Sequence, residues 1–161
     1  MALTRSTLAD ALADVFQSRP STTAEAGLRW ARAYHAYASG ALSAAGSLPV
    51  NAAAGFGILV GAFTGALAAM DAEAAAAAIT AGVMVFWQSM AWAGPTAAGT
   101  TAAPGNFALV PALAAIFADS GGGAREKADR LADAFDAGAR MVIVVDVPFV
   151  QPAPPIVGPI Q

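Results

Sequence analysis

Residues 51–92 read NAAAGFGILVGAFTGALAAMDAEAAAAAITAGVMVFWQSMAW. Two apolar segments, 51–69 and 72–92, are separated by a turn that carries Asp71 and Glu73. Each segment is long enough for about five helical turns. The carboxylates precede the second segment, where they favour the positive N-terminal end of a helix. So short a connection makes the pair an antiparallel helical hairpin. The fold turns on whether this hairpin is buried in protein or in lipid.

Both segments are close to the roughly 20 residues that cross a bilayer. Gly57, Gly61 and Gly65 repeat the small-residue spacing of closely packed membrane helices. The arginines lie outside the segments and fit a topology with both ends inside. Against this, the segments depend on Ala and Gly, which insert weakly compared with Leu or Ile. Gln88 and Ser89 interrupt the second segment, and two carboxylates in the turn would have to be translocated. The same glycine spacing serves close packing inside a protein. A protein-buried hairpin is therefore the favoured reading, and a small membrane protein with a two-helix transmembrane hairpin of holin type is the alternative.

Working outward, the lack of charge extends well beyond the hairpin. Of the 86 residues between Arg32 and Asp119, only Asp71 and Glu73 are charged. The whole chain of 161 residues is 12% charged, against roughly 25% in an ordinary domain. A net charge of −3 leaves no basic footprint for specific nucleic-acid binding. The absence of cysteine excludes a disulfide scaffold and a thiolate metal site. High hydrophobicity excludes a disordered acidic tail. Asp10 and Asp14 interrupt the N-terminal segment, which does not read as a signal peptide. So little ionic surface points to an outside covered by other subunits.

The flanks carry amphipathic helices. Residues 6–17 place Leu8, Leu12, Val15 and Phe16 on one face, and Arg19-Pro20-Ser21 breaks the helix. Thr22-x-x-Glu25 is a capping box, opening a helix predicted to run to about Ser43. Its stripe of Trp30, Tyr34, Tyr37 and Ala41 reads as core or as a subunit contact. Residues 93–106 read as a long loop, followed by helices over about 107–118 and 124–139. Met141 to Val147 is the one convincing strand, a β-branched run stopped by Pro148. Four prolines after Gln151 predict an extended arm. The expected architecture is mainly α: a six-helix bundle around the apolar hairpin, with one C-terminal strand, as a single domain over 1–147 followed by an arm over 148–161.

Leu8-x-x-Ala-Leu12-Ala-x-Val15-Phe16 recurs as Leu109-x-x-Ala-Leu113-Ala-x-Ile116-Phe117, 101 residues later. The register continues with Glu25 and Glu126, Arg29 and Arg130, Trp30 and Leu131, and Tyr34 and Phe135. Two helix–break–helix units thus flank the hairpin. Repetition of this kind supports an architectural protein over a unique catalytic centre.

No enzyme constellation emerges. His35 is the only histidine, so any Ser-His-Asp arrangement must use it, yet no acid neighbours it in sequence. Asp129, Asp133 and Asp136 share a helical face, but arginines surround them, which favours an ion-paired surface over a cation site. Gly121–Gly123 lacks the Lys-Ser/Thr of a P-loop, and Lys127 is the one lysine. No catalytic residue, metal or cofactor is expected. A soluble helical enzyme or ligand-binding bundle would require His35 or the Asp129 face to be essential.

The Trp30-Ala-x-Ala-x-x-x-Tyr37 helix, the Ala-rich run ending in Phe86-Trp87 and the Pro104-Gly105 turn form a recognisable order. With the Leu109–Phe117 helix, the Ala/Asp helix and the Val142–Val147 strand, it resembles small Ala-rich virion proteins of tailed bacteriophages. The resemblance implies a non-enzymatic structural subunit at the head–tail connector or neck, or in tail completion. It further implies copies of itself in a ring, with portal, connector or tail proteins as neighbours, in a virion assembled in the host cytoplasm; a capsid decoration protein is the variant role. The Pro-rich extension after Val150 departs from the group's pattern. A lone strand needs a partner for its N–H and C=O groups, which a sheet in a neighbouring subunit would supply. The expected oligomer contacts are therefore Trp30, Tyr34, Tyr37, Met141, Val142, Ile143, Val144, Val145, Val147 and Phe149.

Overall fold

The computed structural model describes residues 3–50, 52–104, 108–150 and 152–161. Six helices appear in the expected places: α1 (Arg5–Ser18), α2 (Thr23–Ala38), α3 (Ala52–Ala68), α4 (Ala72–Gln88), α5 (Leu109–Ala118) and α6 (Ala124–Ala139). Five strands accompany them: β1 (Leu48–Val50), β2 (Ala91–Ala93), β3 (Ala97–Ala103), β4 (Ile143–Pro148) and β5 (Ile156–Pro159). The protein is mainly α, with a small antiparallel sheet in the order β1-β2-β3-β4-β5.

Each helix packs on the one before it and the one after it, and α6 closes the circuit against α1. Every helix contributes an aromatic ring to the space they enclose: Phe16, Trp30, Phe63, Phe86, Phe117 and Phe135, with Tyr34 as a second ring from α2. Trp30 touches the rings of Phe16, Phe63 and Phe117, and Tyr34 those of Phe63, Phe86 and Phe135. The stripe read from α2 is thus the hub of the core. The Trp87 indole N–H donates to the Tyr34 hydroxyl at 2.9 Å. That hydroxyl is sealed from water, and burial pushes its ionisation well above the ordinary phenol range.

Two glycines let the helices approach. A Cβ on Gly82 would lie 2.2 Å from the Ala62 Cβ, and one on Gly27 would lie 2.7 Å from the Thr64 backbone nitrogen. Gly57, Gly61 and Gly65, by contrast, face open space. The spacing that suggested close packing is therefore a smooth outer stripe of α3, and the close approaches use glycines outside that pattern.

Capping is as predicted at Thr22, whose hydroxyl accepts the Glu25 N–H at 3.1 Å. Glu25 reaches back one residue further than a capping box does and accepts the Ser21 N–H at 3.0 Å. Asp71 caps α4 by accepting the Ala74 N–H. The repeat also holds: α6 spans all the residues 101 positions after Thr23–Ala38, and Leu8/Leu109, Leu12/Leu113, Trp30/Leu131 and Tyr34/Phe135 are all buried pairs.

The strands require three corrections. The helix expected to reach Ser43 ends at Ala38, and the helix expected to reach Trp92 ends at Gln88, so that Trp92 enters β2. The expected loop over 93–106 contains β3, an Ala/Gly/Thr strand with no hydrophobic alternation to announce it. Most consequentially, the C-terminal strand is not alone. β4 pairs with β3 on one side and with β5 on the other. The expected Pro-rich arm folds back as β5, and beyond it Ile160 is buried while the Gln161 carbonyl accepts the Leu3 and Leu42 N–H groups. The demand of β4 for hydrogen-bond partners is met within the chain, which removes the need for a neighbour's sheet.

Candidate interaction surface

The sheet joins the helices through its inner face. Trp92 of β2 stacks on Trp87 of α4, with ring centroids 6.2 Å apart and planes within 6°. Its indole N–H donates to the Thr101 hydroxyl at 3.0 Å. One cross-strand row runs Pro49, Trp92, Gly99, Asp146, Ile156. The Asp146 carboxylate is fully buried, and neither oxygen has a hydrogen-bond partner. Gly99 makes room for it, since a Cβ there would stand 2.6 Å from Oδ1.

The outer face is built by the opposite parity. The rows Leu48–Ala93–Ala98–Val147 and Val50–Ala91–Thr100–Val145–Val157 lie on it, with Ile143 and Pro159 alongside. None of these side chains is charged, and Thr100 is the one polar group among them. Leu48, Val50, Ile143, Val147 and Val157 are between 37% and 61% exposed. Phe149 and Val150 continue the surface past β4, at 61% and 81% exposure. An antiparallel sheet with one solvated face ordinarily alternates apolar and polar side chains. Here the solvated outer face is apolar too.

The period of two divides the expected contact residues. Val142 and Val144 are buried inward, whereas Met141, Ile143, Val147 and Phe149 are exposed and Val145 is half-buried. Trp30, Tyr34 and Tyr37 are buried by this chain's own core, at 4% exposure or less, so they offer a neighbour almost no side-chain area. Leu48, Val50 and Val157 were missed, because β1 and β5 read as a turn and an arm.

Asp129, Asp133 and Asp136, the acidic face of α6, are absorbed structurally together with Asp10 and Asp119. Arg5 of α1 pairs with Asp133 at 2.5 Å, and Arg125 bridges Asp10 at 2.5 Å and Asp129 at 3.1 Å. Arg130 turns to Asp119. Asp136 accepts the Tyr37 hydroxyl at 2.7 Å and pairs with Arg140. Burial, with help from this bond to a carboxylate, holds the Tyr37 phenol far above its ordinary ionisation range. His35 sets its ring against Phe56 and Phe86, and its Nε2 is buried without a partner. A cleft of about 440 Å³ at the α3–α4 turn is lined mainly by apolar side chains, including Leu67, Met70, Ile79 and Phe117. Among the described residues no cluster of acidic and histidine side chains is placed to hold a metal ion. Among them, too, no helix is long and apolar enough to cross a membrane. No known protein family, curated protein or solved structure matches the chain.

Proposed function

We propose that the protein is a non-catalytic structural subunit that assembles with copies of itself through the outer face of its sheet. The exposed, uncharged face running from Leu48 to Val157 carries this reading. Its exposed apolar area is several hundred Å², the scale of the largest patches on monomers and approaching the roughly 800 Å² per partner of a stable interface. At about 25 cal/mol per Å², covering it supplies on the order of 10 kcal/mol toward association, comparable with the roughly 4–15 kcal/mol that association itself requires.

Lateral growth of the sheet is disfavoured. β1 is three residues long with Pro49 at its centre, and β5 ends in Pro159, so the edge strands lack N–H groups where a further strand would bond. Contact through the face remains. The sequence resemblance supports reading such a subunit as part of a tailed-phage virion, a ring-forming head–tail connector or neck component with portal or tail proteins as neighbours.

The test is the double substitution Val147→Asp and Val157→Asp, which puts two carboxylates on the face without touching the core. Light scattering of the unaltered protein is expected to give a multiple of the chain mass, and the variant a monomer with unchanged helical circular dichroism. A monomeric unaltered protein at tens of micromolar refutes the reading.

A further inference from the structure

We propose that copies of this chain exchange β5, the C-terminal strand of one copy pairing with β4 of the next. The proposal rests on the assembly reading above and adds the element that links the copies. Three observations carry it. β5 is held loosely by its side chains: Ile156 and Val157 are 41% and 61% exposed, and the anchor is Ile160, just beyond the strand. The strand beneath it, Ile143 to Val147, contains no proline, so once uncovered it accepts any extended segment in the same register. Third, the Asp146 carboxylate pairs in register with Ile156 and lies unpartnered under the closed sheet. Opening β5 lets water reach that carboxylate, which offsets part of the loss from breaking the ladder.

An exchanged strand makes the same contacts as the closed one, so the balance is set by what joins β4 to β5. That connection, residues 149–155, contains Pro152, Pro154 and Pro155. Proline holds φ near −65° and favours an extended path over a tight reversal. Seven extended residues reach about 20 Å, whereas stacked sheets lie roughly 10 Å apart. Two copies packed through their outer faces are thus within reach of each other's β4.

The chain has no cysteine, which makes the test direct. Asp146→Cys with Ile156→Cys places two thiols on the inner side of one cross-strand pair, within disulfide range, and leaves the outer face intact. Oxidised at low concentration, the variant is expected to run as dimers and higher multiples on a denaturing gel without reductant, and to collapse to one band with dithiothreitol. Each single-cysteine variant should give no ladder of higher multiples. Val145→Cys with Val157→Cys, on the other side of the same two strands, provides a second pair should the first fail to fold. A disulfide formed only within chains, in a protein that light scattering still finds oligomeric, overturns the exchange and leaves the assembly reading standing. A monomeric unaltered protein overturns both.

Discussion

Replacing Asp146 by leucine is expected to stabilise the protein. The carboxylate has no solvent exposure and no partner for either oxygen. An unsatisfied buried polar group costs roughly 1–3 kcal/mol, and a charged one more. The branched end of leucine follows the outline of a carboxylate, and Gly99 leaves the space in which it sits. Extra methyl bulk takes back part of the gain, leaving a net stabilisation of about 2 kcal/mol. Asp146→Asn separates polarity from volume: it keeps the shape and leaves a polar group unsatisfied, for a smaller gain of about 1 kcal/mol. At this chain length 1 kcal/mol moves the thermal midpoint by roughly 2–4 °C. The leucine variant should therefore melt about 4–8 °C higher and the asparagine variant about half as much. Circular dichroism at one fixed protein concentration measures this, because assembly makes the midpoint concentration-dependent. If both variants melt lower than the unaltered protein, the carboxylate is bonded to something and the reasoning fails.

Gly82→Ala should destabilise by about 1–3 kcal/mol, since the new Cβ meets Ala62; Gly61→Ala, on open helix surface, should stabilise by about 0.5–1 kcal/mol. Urea unfolding of the two variants side by side checks the sign difference. Tyr37→Phe removes a hydrogen bond to Asp136, but Arg140 still pairs with that carboxylate, so the loss should be near the lower end of roughly 1.5–3 kcal/mol. The raised phenol of Tyr37 has a second consequence. Unfolded tyrosine ionises first, near pH 10, so stability is full below that value and declines above it; the phenylalanine variant should show a shallower alkaline decline. In acid the sign reverses. Arg130 holds Asp119 below its ordinary value, and the Ser21 N–H does the same for Glu25. The unfolded chain therefore takes up these protons first, and stability is lost as the pH falls below about 4. Asp119→Asn with Glu25→Gln should flatten that loss in an acid titration followed by tryptophan fluorescence.

The helices were legible because helix signals are local. Period 3.6 in α1, the cap at Thr22 and the Asp71 turn all lie within a few turns of the residues they govern. β4 was legible as a strand, but not which half of it faces outward, since alternate valines of a β-branched run look alike until one side is packed. β1, β2, β3 and β5 were not legible at all. Leu48-Pro49-Val50 contains a proline, the β3 segment is alanine, glycine and threonine, and β5 lies among prolines. Proline and small residues mask the strand signal in these short segments.

By itself, the sequence determined six helices, an aromatic stripe on α2 that could serve core or neighbour, and a chain too poor in charge to cover its own surface with ions. Only the tertiary structure decided where that uncharged surface lies. Strand pairing is non-local: Ala98 becomes strand because Val147, 49 residues later, lies beside it. The pairing sends alternate residues to opposite faces, buries Val144 and Asp146 and leaves Val145 and Val147 on the outer side. A strand that the sequence presented as seeking a partner is, in the fold, already paired on both edges. What the closed fold leaves exposed on it is its outer face.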